Sequence, residues 1–370
     1  MTPDDRRRTF SLVESGVPSP MHRKPNIRTV AKQAGVGVST VSRFLNGNYV
    51  SASARAKIGK VIEDLGYRRS SAARNLSLGR RGCIGVVVDS SQDPWFTRLL
   101  AGIEEELSTR DTSLMLASTE LTEKYDPSII FEWIRERRVD GLVIAKSQRR
   151  DRPLIAEAVA AELPTVLVAP DEAFNHVQLV RCDNRGAGAA VAKHLVELGH
   201  TAIAFAGGPQ HSIDSKHRLQ GLREELRRQN VPLDSRLVFS CGSWEADAGA
   251  GFARTFFGHA STAATAVVFA NDSLASGFMR VAHQRGVAMP GELSVVGFNG
   301  LPESALLWPS LTSVAQPMRE MGRAACRRLF EVIESPGQLQ TIEFPMRLIV
   351  RESSGAPRAS ARLRSGTRSS

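Results

Sequence analysis

With 370 residues the chain is too long for one ordinary domain, and at 42% hydrophobic it is too apolar for global disorder. It has no run of about 18 apolar residues and no apolar stretch of a secretory signal near its start, which excludes a membrane-spanning helix and predicts a cytoplasmic protein. The net charge of +10 is uneven: twelve Lys/Arg face only Glu63 and Asp64 between His22 and Arg80, so a small basic unit that calls for a polyanion partner precedes a mildly acidic body.

Residues 1–25 read as a disordered basic arm, with Met21 an alternative start of translation. Asn26 offers an N-cap for a helix over 27–34, and 38–45 forms a second short helix. Val30, Ala31, Ala34, Val38, Val41, Phe44 and Leu45 recur at helical spacing across both. Gly35 and Gly37 lie in the middle, where one continuous helix would lose about 1 kcal/mol per glycine. Two short helices joined by a tight turn, a helix-turn-helix, fit better. Ser51 caps a third helix over 52–65, closed by Gly66. Residues 26–68 therefore form one small domain, and 69–80 a hinge or linker. From Cys83 onward, apolar runs at 84–88, 113–118, 141–145, 165–169, 202–207, 266–270 and 293–298 alternate with helical stretches such as 94–108 and 127–138. Runs apolar almost throughout are strands buried on both faces. Their alternation with helices predicts an α/β fold of two doubly wound parallel-sheet subdomains within 82–352. The chain is expected to cross between them near 181, within 296–317 and within 336–341, and 353–370 reads as a disordered tail. Cys83, Cys182, Cys241 and Cys326 stand far apart with no CxxC pair, as reduced buried thiols do.

In the helix-turn-helix, Val30, Ala31 and Val36 pack the first helix on Val41 and Leu45, and Gly35 permits the turn. Val38, Ser39, Ser42 and Arg43 then face outward and can enter a DNA major groove, with Thr40 and Asn46 completing the candidate contacts. An arginine can grip guanine with two hydrogen bonds at once. A plain helical hairpin is the alternative. The stretch GVGVST follows no strand and completes no phosphate-binding glycine motif.

Several motifs carry a resemblance. IRTVAKQAGVGVSTVSRFLNG, VSASARAKIGKVIEDLGYR, SSAARNLSLGR, RVDGLVI, DNRGAGAAVAKHLVELGHTAIAFAGGP, HRLQGLREEL, FANDSLASGFMRVAHQRGVAMPGELSVVGF and PSLTSVAQPMREMGRAA occur in this order. Over roughly residues 26–352 the chain resembles the lactose/purine repressor family of bacterial transcription regulators. The resemblance implies a homodimeric repressor on double-stranded DNA, bound to a near-palindromic operator with one recognition helix per subunit in the major groove. It implies a hinge that folds on DNA, with Leu76 as a minor-groove wedge and Ala73 and Arg74 as its neighbours. An apolar wedge of that kind unstacks a base step and bends the duplex. The core would resemble periplasmic sugar-binding proteins and take a small-molecule effector, a sugar or sugar derivative.

The family's effector contacts match Trp95 and Phe96 after the first strand, Arg218 in HRLQG, Trp244, Asn271 in FAND and Asn299 in GFNG. Trp95 equally suits a subdomain interface, and Asn271 with Asp272 a helix cap. Departures from the family pattern are Gly37 at the cap of the recognition helix, Thr29 and Asn299 where aspartate is usual, Arg69 in place of a hinge proline, and Ala169 near another usual aspartate. An effector site that loses acid while keeping Arg218 favours an effector with acceptor or acidic groups, a sugar acid or sugar phosphate, with a neutral sugar as the alternative. A sugar receptor without DNA function would need a signal peptide and no basic domain. No GxSxG, HExxH, CxxC or phosphate loop points to an enzyme, and neither a cofactor nor a metal is expected. His194 and His200 read as structural.

Overall fold

The structure, a computed structural model, describes residues 25–67, 80–89, 93–119, 126–172, 174, 176–258, 264–335 and 337–357. The chain divides into two compact units, Met1–Gly79 and Arg80–Ser370. The expected hinge over 69–80, with Ala73, Arg74 and Leu76, and the expected disordered arm over 1–25 lie outside the described residues save for Arg80 and Pro25.

The first unit holds helices α1 (Ile27–Ala34), α2 (Val38–Leu45) and α3 (Ala52–Leu65). The Asn26 side chain accepts from the backbone N–H groups of Arg28 and Thr29, and Ser51 accepts from Ala54 N–H. These bonds satisfy donors that a helix start leaves unpaired. Thr29 also donates its hydroxyl to Asn26 at 3.3 Å, so it joins the cap. Gly35 ends α1 at φ +66°, a left-handed conformation that costs a residue with a Cβ about 1–2 kcal/mol. Val30, Ala31, Ala34, Val41 and Ile58 form the buried centre, with Val36, Phe44 and Leu45 packed against it.

The second unit has two lobes. In the first, β1 (Cys83–Val88), β2 (Ser113–Ser118), β3 (Leu142–Ala145), β4 (Thr165–Val168), β5 (Gln178–Cys182) and β11 (Thr341–Phe344) form a parallel sheet ordered β11-β5-β4-β3-β1-β2. In the second, β6 (Ile203–Gly207), β7 (Val238–Ser240), β8 (Ala266–Phe269), β9 (Ser294–Asn299), β10 (Thr312–Ala315) and β12 (Arg347–Ile349) are ordered β12-β10-β9-β8-β6-β7, with β12 antiparallel. Alternate residues of one strand enter cores on opposite faces. Ile84, Val86 and Val88 of β1 pack on one side and Val87 on the other, as the two-residue period requires. The helices are α4 (Pro94–Ser108), α5 (Ser128–Arg135), α6 (Arg152–Ala160), α7 (Asn184–Glu197), α8 (Ile213–Arg228), α9 (Ala246–Gly258), α10 (Asp272–Gln284) and α11 (Met318–Glu334). Helix α11 follows β10 of the second lobe yet packs on α4 of the first.

Two sequence expectations are corrected here. The third crossing falls between Phe344 and Arg347, not within 336–341, because β11 adds to the first sheet beside β5 before the chain leaves it. The tail does not begin at 353. Ser353 is fully buried, takes Ser310 O through its N–H and donates its hydroxyl to Val295 O, while Gly355 O lies 2.9 Å from His200 Nε2. His194 Nε2 meets Ser354 Oγ at 2.9 Å, so both histidines fasten this strap.

Candidate functional site

In the first unit the candidate contacts line one helix. Gly37 is the N-cap of α2 in extended backbone and supplies no side-chain cap bond. Val38, Ser39, Arg43 and Asn46 are exposed, and Thr40 and Ser42 half-buried, while Val41 is fully buried under them. One helical face thus holds the core and the other presents hydroxyls and a guanidinium to the outside. Tyr49, just past α2, is 86% exposed.

In the second unit a cavity of about 130 Å3 opens between the lobes, lined by Asp89, Asp93, Phe96, Lys146, Asp171, Arg218, Trp244, Glu245, Asn271 and Asn299. Most of these follow the carboxyl end of a strand: Asp89 after β1, Lys146 after β3, Asp171 after β4, Trp244 after β7, Asn271 after β8, with Asn299 the last residue of β9. Parallel α/β sheets place ligands there.

Arg218 lies on α8 and is buried to 1% exposure. Its Nε donates to Asn184 Oδ1 at 2.7 Å, its Nη1 donates to Ala270 O, and its Nη2 faces Asp214 Oδ2 at 3.8 Å without a hydrogen bond. Burial lowers its pKa, and the carboxylates of Asp214, Asp171 and Asp272 oppose that shift. The backbone under it is tightly fixed. A Cβ on Gly188 of α7 would overlap the Arg218 carbonyl oxygen, so α7 and α8 touch backbone to backbone only because residue 188 has no side chain. Asn271 caps α10 through Oδ1 to Leu274 N–H, and its Nδ2 donates to Trp244 O at 2.9 Å. It is a helix cap and also holds the Trp244 loop in place. Asn299 sits at φ +113°, strained backbone for a residue with a side chain, and its Oδ1 accepts from Gln316 Nε2 at 3.0 Å.

Five of the six expected cleft residues line this cavity: Phe96, Arg218, Trp244, Asn271 and Asn299. Trp95 does not. Its ring is fully buried in the first lobe and its Nε1–H donates to Gln316 Oε1 at 2.8 Å, toward the strand that crosses between lobes. Four carboxylates, Asp89, Asp93, Asp171 and Glu245, line the cavity against two cations, Lys146 and Arg218, and Asp171 stands two residues beyond Ala169. Asp171 is buried, accepts from Ser212 Oγ of the other lobe at 2.7 Å, and has its pKa raised by burial. Asp89 is held by Arg150 at 2.5 Å and by Gln148 at 2.8 Å. Lys146, Asp89 and Asp171 went unread in the sequence, although the ends of the runs at 84–88, 141–145 and 165–169 point at them under the strand-end rule. A second cavity of about 670 Å3 lies beside the β5–α7 crossing, where Cys182, Asn184 and Asp214 form its wall toward Arg218.

Among the described residues no helix is long and apolar enough to cross a membrane. Comparison with known proteins matches residues 26–70 to "Bacterial regulatory proteins, lacI family" and residues 192–354 to "Periplasmic binding protein-like domain". The HTH-type transcriptional regulator DegA of Bacillus subtilis is 31% identical over 89% of this chain and 98% of its own. A solved complex of the transcriptional regulator CelR with cellobiose is 29% identical, with a TM-score of 0.67 over 89% of this chain and all of the other. A lac repressor dimer bound to operator and the anti-inducer ONPF is 25% identical, with a TM-score of 0.75 over 90% of this chain and all of the other. A DNA-binding helix-turn-helix unit followed by a two-lobed core, matched over nearly the full length of such relatives, shows that the chain belongs to the lacI family of bacterial regulatory proteins.

Proposed function

We propose that the protein is a cytoplasmic, homodimeric transcriptional repressor, without enzymatic activity, that binds a near-palindromic operator and whose affinity for it is set by a neutral sugar in the interlobe cleft. The observation that carries this reading is the pairing, in one chain, of an exposed helix face bearing Arg43 with a cleft floored by the buried Arg218. Val38, Ser39, Thr40, Ser42, Arg43 and Asn46 meet the major groove, with Arg43 on a base edge. Ala73, Arg74 and Leu76 act at the minor groove. Phe96, Arg218, Trp244, Asn271 and Asn299 hold the effector, and Trp95 supports them from behind.

Cavity charge supports a neutral sugar over a sugar acid: four carboxylates accept from hydroxyl donors and oppose a further anion. The similar regulator solved with cellobiose is a sugar complex in the same fold. Dimerisation is supported by Leu306 and Trp308, 85% and 81% exposed beside each other, apolar surface that a second subunit would cover.

The test is selection of genomic fragments by the purified protein, repeated with neutral sugars, sugar acids and sugar phosphates. A shared near-palindromic sequence that a neutral sugar modulates is expected. Fragments without a common sequence would overturn the DNA assignment, and modulation by anionic sugars alone would overturn the choice of effector class.

A further inference from the structure

Lys146 stands at the end of β3 in the first lobe, at φ +55°. A lysine in left-handed backbone is uncommon, and here it aims the side chain into the cleft. The ammonium lies 4.9 Å from the centre of the Trp95 ring in its own lobe and 5.6 Å from the Trp244 ring in the other. It faces Asp214 Oδ2 of the second lobe at 3.6 Å. Only 16% of the side chain is exposed. One cation thus touches both lobes: an indole of each and a carboxylate of the second. Asp171 of the first lobe and Ser212 of the second also hydrogen-bond across the cleft, at 2.7 Å.

Trp244 is the aromatic wall of the cavity, and its face is where a sugar ring would stack. Lys146 lies over that ring. We infer that Lys146 is a lobe-bridging positioning residue: its ammonium, held between Trp95, Trp244 and Asp214, ties the two lobes together across the cleft and must leave Trp244 for an effector to stack there. The inference rests on the effector-cleft reading above. Cations over indoles attract most strongly when desolvated, as this one is.

The experiment needs no known effector. Spin labels are placed on Arg149→Cys and Asp247→Cys, on the first and second lobe, in the full chain with Cys83 and Cys241 changed to Ser, and the interlabel distance is measured by pulsed electron resonance. Lys146→Met keeps the length of the side chain and removes its charge. It is expected to shift the distribution by more than about 2 Å and broaden it, the scale of a domain rearrangement. Lys146→Arg, which keeps the cation, is expected to retain the wild-type distribution. Trp244→Leu, on the other lobe, is expected to reproduce the Lys146→Met shift with no further change in the double variant, and it decides the matter if Lys146→Met fails to fold. Superimposable distributions for wild type and the two single variants would overturn the inference, as would opening in Lys146→Arg equal to that in Lys146→Met. Failure of every protein, wild type included, to bind DNA would instead overturn the functional reading and leave the distances to decide the latch.

Discussion

The candidate major-groove contacts of the first unit follow one another along nine residues of chain, from Val38 to Asn46, and most are exposed. The cleft is walled by residues from separate segments between Asp89 and Asn299, and Arg218, Asp171, Asn271 and Asn299 are buried. In the first unit a helix needs only to be held from behind, so Val41 and Ile58 fix the stage while the contact residues present their side chains outward. In the cleft many polar groups are already engaged, as Arg218 is with Asn184 and Ala270 and Asn271 with Trp244. A ligand there must compete with or complete existing bonds, whereas DNA meets a surface that waits for it.

The largest effect that would sharpen this contrast is expected from Ile58→Ala. The first unit buries few large side chains, so losing this one should cost about 2–5 kcal/mol and melt that unit alone. Scanning calorimetry should show a lowered or absent first transition and an unchanged core transition. A core transition that moves equally would mean that the two units do not fold separately.

A second measurement concerns the buried carboxylate of Asp272. It accepts from Leu301 N–H and from the Ser304 and Ser313 hydroxyls, yet burial raises its pKa to about 6. The folded state therefore favours the protonated form. Its contribution to stability is complete below pH 4 and is lost as pH rises through 6, by about 3 kcal/mol at most. Burial lowers the pKa of His194 and His200, which gives the opposite slope. Both are present in Asp272→Asn, so the difference in melting temperature between wild type and that variant, followed from pH 4 to 6.5, isolates the carboxylate. Parallel curves would count against the shift.

Gly188→Ala should cost about 1–3 kcal/mol by driving α7 off α8, displacing Arg218. Effector response should fall while operator affinity holds, read by fluorescence anisotropy on labelled operator. The smallest effect is expected from Lys60→Ala, an exposed cation on α3: weaker binding to all sequences alike and a salt dependence shallower by about one unit. Sequence-selective weakening would move Lys60 among the base-reading residues.

The same contrast decided what was legible in the sequence. Helix bounds at 27–34, 38–45 and 52–65 follow from local signals, namely Asn26, Gly35, Ser51 and Gly66, each acting within one turn of chain. The strands β1 to β4, β6, β8 and β9 declare themselves as apolar runs. Strands β11 and β12 do not, because they lie at sheet edges with only exposed and half-buried residues, and their pairing depends on β5 and β10 far away in the chain. The resemblance pointed to Phe96, Arg218, Trp244, Asn271 and Asn299 in the cleft. It could not say that Trp95 turns inward to Gln316, or that Asp171 lines the cleft just beyond Ala169. Those depend on which way a side chain leaves a helix start and on where a loop returns after β4, and neither is a property of local sequence.

The central claim is that one chain divides DNA reading and effector reading between two separate sets of residues. Arg43→Ala and Arg218→Ala, compared side by side, test it most directly, with operator affinity and sugar binding measured on each. Arg43→Ala is expected to lose about 1–3 kcal/mol of operator affinity and to relax one base position while binding sugar as the wild type does. Arg218→Ala is expected to bind the operator normally and no longer to respond to the sugar. A variant that loses both functions while remaining folded, or an Arg218→Ala protein that still responds in full, would contradict it.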